Sequence, residues 1–73
     1  MSELQDRLRR MRKAPVFLKD AYEQVAFRSH PRERGYFLKR KGDLEYMVQT
    51  DSKLATDIIL GGDEITKKQY ENY

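Results

Sequence analysis

Apolar and polar positions alternate most clearly between Arg34 and Gln49. Tyr36 and Leu38 precede the turn signal Lys41-Gly42-Asp43, and Leu44, Tyr46 and Val48 follow it, each set at every second residue. Strand side chains point to opposite faces in turn, so the two sets share one face of a ribbon. Gly42 supplies a residue at ease with positive φ at the turn. The pattern predicts a β-hairpin over residues 35–49. A lone hairpin is marginal in water, so the flanking segments must cover its apolar face.

Those flanks carry a helical period instead. Leu4, Leu8 and Met11 fall on one stripe, with Ser2 and Gln5 in the positions of a capping box, which predicts a helix over 3–13. Pro15 stops it, because the residue before a proline is biased away from helical backbone. Leu18, Ala21, Tyr22 and Val25 recur at i, i+3, i+4 and i+7, predicting a second helix over 16–27 with Pro15 as its first residue. The alternation of Val25 and Phe27 permits a rival reading, in which residues 23–29 add a third strand to the hairpin.

The stretch SHPRERG, residues 29–35, has little to bury and reads as a loop. Beyond the hairpin, Thr50, Asp51 and Ser52 offer N-caps for a helix whose stripe is Leu54, Ala55, Ile58 and Ile59. Gly61-Gly62 closes it through left-handed backbone. Thr66 and Gln69 form a second capping box, with Ile65 and Tyr70 placed as a hydrophobic staple. The tail, 63–73, is either a docked final turn or a frayed end. The expected fold is α+β: a single small domain, 1–73, with two N-terminal helices, a central β-hairpin extensible to a three-stranded antiparallel sheet, and a C-terminal helix. Its expected core joins Leu38, Tyr46, Leu54 and Ile58.

Composition narrows this picture. A chain of 73 residues, 37% of them charged, has one core with little margin, although eight aromatics argue against disorder. It has no cysteine, which removes disulfides and cysteine-type zinc sites. No apolar run reaches the length of a membrane span and no signal-peptide core is visible, so a soluble, cytoplasmic protein is expected.

Candidate chemistry is sparse. Gly61-Gly62-Asp63-Glu64-Ile65 resembles the GGDEF signature of diguanylate cyclases, but its last position differs and a helix end explains its glycines. Arg34-Gly35-Tyr36 begins like the first ribonucleoprotein motif of RNA-recognition domains and departs from it at Phe37. His30, the one histidine, has no nucleophile or second ligand near it in sequence. No catalytic, cofactor or metal site is expected, and the protein is read as a non-enzyme.

Charge is the feature with functional content. Residues 1–42 carry 12 Lys/Arg against 5 Asp/Glu, and residues 43–73 carry 3 against 7, which splits the net +3 into +7 and −4. Arg7, Arg9, Arg10, Arg12 and Lys13 lie in the first helix, Arg28, Arg32 and Arg34 around the loop, and Lys39, Arg40 and Lys41 at the hairpin tip. Arginine predominates, and its planar fork pairs with carboxylates and phosphates better than an ammonium does. These eleven residues are the expected partner-binding set. The expected partner is a larger protein with an acidic surface, as for a phage- or plasmid-type modulator of host machinery such as RNA polymerase. The alternative is nucleic acid, held by the first helix and the hairpin tip. Membrane attachment is not expected, because Leu4, Leu8 and Met11 include no aromatic anchor.

Overall fold

The computed structural model describes residues 3–73. Helix α1 spans Glu3–Met11 and is followed by strands β1 (Val16–Asp20), β2 (Val25–Ser29), β3 (Tyr36–Arg40) and β4 (Tyr46–Val48). Helix α2 (Lys53–Gly61), the short strand β5 (Asp63–Glu64) and helix α3 (Lys67–Glu71) complete the chain. The strands form one antiparallel sheet in the order β4-β3-β2-β1-β5. The α+β class and the hairpin at 35–49 are as expected. The N-terminal layout is not.

The second helix does not form; residues 16–29 make a β-hairpin instead. Asp20 turns the chain: its Oδ1 accepts from the backbone N–H of Tyr22 at 2.9 Å and of Glu23 at 3.1 Å. Gln24 completes the reversal at φ +54. The helical reading needed Ala21 and Tyr22 buried, yet Tyr22 is 92% exposed in that turn. Strand alternation fits better, for Val16 and Leu18 are buried together with Val25 and Phe27. Residues 25–29 pair with β3, so the strand alternative for 23–29 was the right one of the two. Pro15 precedes a strand and opens no helix.

One face of the sheet holds Val16, Leu18, Val25, Phe27 and Leu38 under α1 and α2, which contribute Met11, Ala55, Ile58 and Ile59. Tyr36, Val48, Leu4 and Leu54 close its margins. Tyr46 shares this face in register with Leu38 but is 41% exposed, and Leu44 lies outside the strand at 91%. The expected core therefore holds for Leu38, Leu54 and Ile58 and fails for Tyr46. That margin is open because α2 packs over β1 and leaves β4 outermost.

Capping matches the sequence in two places. Ser52 Oγ accepts from Ala55 N–H at 3.3 Å at the start of α2. Thr66 and Gln69 make the reciprocal capping box of α3 at 3.1 and 2.8 Å. The residue-2 N-cap lies outside the described residues. The end of α2 differs from expectation: Gly62 is extended at φ −76, not left-handed. A Cβ there would stand 2.6 Å from Ile58 O and 3.2 Å from Lys19 O. Glycine is needed at this point for close approach to β1, not for handedness.

Candidate protein-binding surface

The opposite face of the sheet is built from Phe17, Lys19, Ala26, Arg28, Phe37, Lys39 and Met47. Among the described residues, α3 is the helix that covers it, through Tyr70, whose ring lies 5.5 Å from that of Phe17. The Tyr70 hydroxyl donates to Glu45 Oε1 at 2.7 Å, and Arg28 grips both Glu45 oxygens, at 3.3 and 3.1 Å. Arg28 also pairs with Glu33 at 3.3 Å and lies 4.2 Å over the Phe37 ring. Burial alone would raise the Glu45 carboxyl, but the Tyr70 hydroxyl and Arg28 overcome it and hold the group below its usual value. Burial, reinforced by Glu45, pushes the Tyr70 phenol well up.

This network sorts the eleven expected partner-binding residues into two groups. Four are used by the fold itself. Arg7 donates to Ile59 O at 2.7 Å, satisfying a carbonyl in the last turn of α2. Arg10 bridges Asp6 and Glu64, at 3.3 and 2.6 Å, and so ties α1 to β5. Arg28 serves the Glu45 network, and Lys39 donates to the Tyr70 and Glu71 carbonyls at 3.3 and 2.9 Å, closing the end of α3. Among the described residues, the side chains of Arg9, Arg12, Lys13, Arg32, Arg34, Arg40 and Lys41 make no ion pair and no hydrogen bond.

The free cations do not form one patch. Arg9, Arg12 and Lys13 lie at the C-terminal end of α1, and Arg12 lines a cleft of about 350 Å³ together with the 29–35 loop. Leu8, Met11 and Tyr36 give that cleft apolar walls. Arg32 and Arg34 sit on the loop beside it, and Arg34 lines an adjoining cleft with Met47 and Thr50. Arg40 and Lys41 are at the other end of the β3–β4 hairpin, a strand length of about 13–17 Å away. The folding of β2 against β3 thus gathers the first two groups and separates the third.

Two features of this region were missed by sequence reasoning. His30 Nδ1 accepts from the Arg32 backbone N–H at 3.1 Å, so the imidazole shapes the loop that carries Arg32 and Arg34. Gly35, at φ +93, lies where a Cβ would stand 2.6 Å from Val48 O, which brings Arg34 to the end of β4. The His-Pro and Arg-Gly pairs signalled only a loop. Among the described residues no group of three or more His, Asp or Glu could hold a metal, and no helix is long and apolar enough to cross a membrane.

A family model and a solved structure match most of this chain. Residues 5–72 match the model of the family described as Tis1 immunity protein, and the chain belongs to that family. It is also similar to a chain in the crystal structure of the complex between the Type VI effector Tas1 and its immunity protein. The two are 25% identical over 85% of this chain and 84% of that one, with a TM-score of 0.79. No curated protein matches. A small inhibitory protein that binds a larger protein accords with these findings; nothing in them supports RNA polymerase or transcription as its target.

Proposed function

We propose that this member of the Tis1 immunity family binds a Tas1-like type VI effector and silences it by occupying its surface, with no catalysis of its own. The match over residues 5–72 carries the reading. The surface supports it, because Arg12, Arg32 and Arg34 gather at one end of the sheet without internal partners while Arg7, Arg10 and Arg28 are held by contacts within the fold. Leaving cations unpaired at a surface suits an acidic partner, which they steer in and hold in register.

The test titrates the purified chain into the Tas1-type effector of its own source, treated with nuclease, with effector activity as a second readout. The expected result is a stoichiometric complex in which effector activity is lost. Reversing Arg12, Arg32 and Arg34 to Glu is expected to weaken it by about tenfold per residue, chiefly by slowing association and changing its salt dependence. An effector that stays fully active in the presence of excess chain overturns the proposal. Binding that vanishes with nuclease would favour the nucleic-acid alternative instead.

A further inference from the structure

The two edges of the sheet are finished differently. At one edge β5 is only two residues, Asp63 and Glu64, both acidic, and the chain then returns to bond Ile65 N–H to Phe17 O at 3.0 Å. Short length and charge are the usual ways of protecting an edge from further pairing. At the other edge β4 reads Tyr46-Met47-Val48, with no charge on the strand. Leu44 is 91% exposed, Met47 61% and Tyr46 41%. Nothing beyond β4 pairs with its outer row of N–H and C=O groups among the described residues.

Both ends of this edge carry free cations. Arg40 and Lys41 precede it, and Arg34 lines the cleft with Met47 at its far end. Asp43 stands in the turn, and Glu45 is already held by Arg28 and Tyr70, so cations outnumber free carboxylates along the strip. A second copy of this chain paired antiparallel on β4 would set Arg34 against the Arg40 and Lys41 of its neighbour. Like charges disfavour that arrangement, whereas a segment with carboxylates at its ends is drawn to it.

We infer that β4 is the docking edge for the effector: an extended effector segment, apolar in its middle and acidic at its ends, adds to the sheet as a sixth strand beside Tyr46–Val48. Backbone hydrogen bonds supply pairing, Leu44, Tyr46 and Met47 meet alternate apolar side chains, and the flanking cations set register. This inference rests on the reading of the chain as an effector-binding protein, and it joins the two separated groups of cations in one footprint.

The experiment combines hydrogen exchange with titration against the effector, comparing the parent chain with Met47→Glu and, as a control on α2 over the β1 side of the sheet, Leu60→Gln. Both side chains are largely exposed, so each variant keeps the parent's melting temperature. The expected result is slowed exchange at amides of residues 44–49 in the complex, and a loss of about 30-fold or more in affinity for Met47→Glu, as for a central interface residue. Leu60→Gln binds like the parent. Unslowed exchange at 44–49, with parent affinity in Met47→Glu, overturns the docking edge while the effector-binding function stands. No complex with the parent chain removes that function, and the docking edge falls with it. A free parent chain that dimerises and becomes monomeric on Met47→Glu assigns the edge to a second copy and also overturns the inference.

Discussion

The two faces of the sheet solve the problem of burial in different ways. Under α1 and α2, Leu18, Val25, Phe27, Leu38 and Ile58 are fully buried and, apart from Ser29, the buried side chains there are apolar. Under α3, the covering side chain is Tyr70, whose hydroxyl meets the Glu45 carboxylate paired with the Arg28 guanidinium, while the Lys39 ammonium lies 5.7 Å from its ring. The first face holds the fold by removing area from water. The second face holds one segment in place by satisfied polar contacts, each worth little alone. A chain of this size can fund only one apolar core, so its second layer is polar.

The largest effect that separates the faces should come from Ile58→Ala. The side chain is fully buried against the first face, and its truncation is expected to cost about 2–4 kcal/mol. For a domain of this length that means a fall in melting temperature of roughly 10 °C or more. A shift of only a degree or two in a thermal melt would show that α2 is not the main cover.

Gly62→Ala should rank next. The added Cβ meets two backbone oxygens, neither of which can swing aside, so the expected loss is about 1–3 kcal/mol by overpacking. Chemical denaturation with an unchanged slope would confirm a pure stability effect.

On the second face, Tyr70→Phe keeps the ring on Phe17 and removes only the bond to Glu45, an expected cost of about 1 kcal/mol. Thr66→Ala removes one half of the capping box and is expected to cost about 1 kcal/mol. Hydrogen exchange should place that loss in residues 67–71 and leave β1 to β3 protected.

The smallest effect is in the pH profile. Glu45 is held below its usual pKa, so its contribution is present above the unfolded carboxylate range and is lost as pH falls through its folded value. The carboxylate is 38% exposed, and solvent screening reduces that limb to a few tenths of a kcal/mol, about what a surface pair gives. Tyr70 is raised, so its contribution is full below the ordinary phenol value of 10.0 and declines above it. Melting curves of Tyr70→Phe should lack the alkaline decline and show a shallower acid limb.

Elements whose signals are local were legible in the sequence. The Gly42 turn, the Ser52 cap and the Thr66–Gln69 box each depend on residues within four positions, and all three formed. The β1–β2 hairpin was misread because its residues satisfy two periods at once. Leu18 and Val25 belong to both patterns, and only tertiary pairing decided for the strand. Its turn contains no glycine, proline or asparagine, leaving Asp20 as the one clue. The basic residues were visible by type, but which of them the fold consumes was not. Arg28 meets Glu45 across 17 positions, Lys39 meets Glu71 across 32, and Arg7 meets Ile59 across 52. Pairings at such separations are products of topology. So is the exposure of Leu44, whose alternation with Tyr46 and Val48 reads as core.

The strand order β4-β3-β2-β1-β5 also sets a sequence of assembly. Four strands form a meander in which each pairs with its neighbour in the chain, so three pairings close over short loops at small entropic cost. The fifth must bring Glu64 back to Leu18, and Arg10 reaches the same strand from α1. Non-local closure is slow relative to hairpin formation. The meander is therefore expected to form before β5 and α3, with the acid-guarded edge closing last, an order that pulse-labelled hydrogen exchange would test.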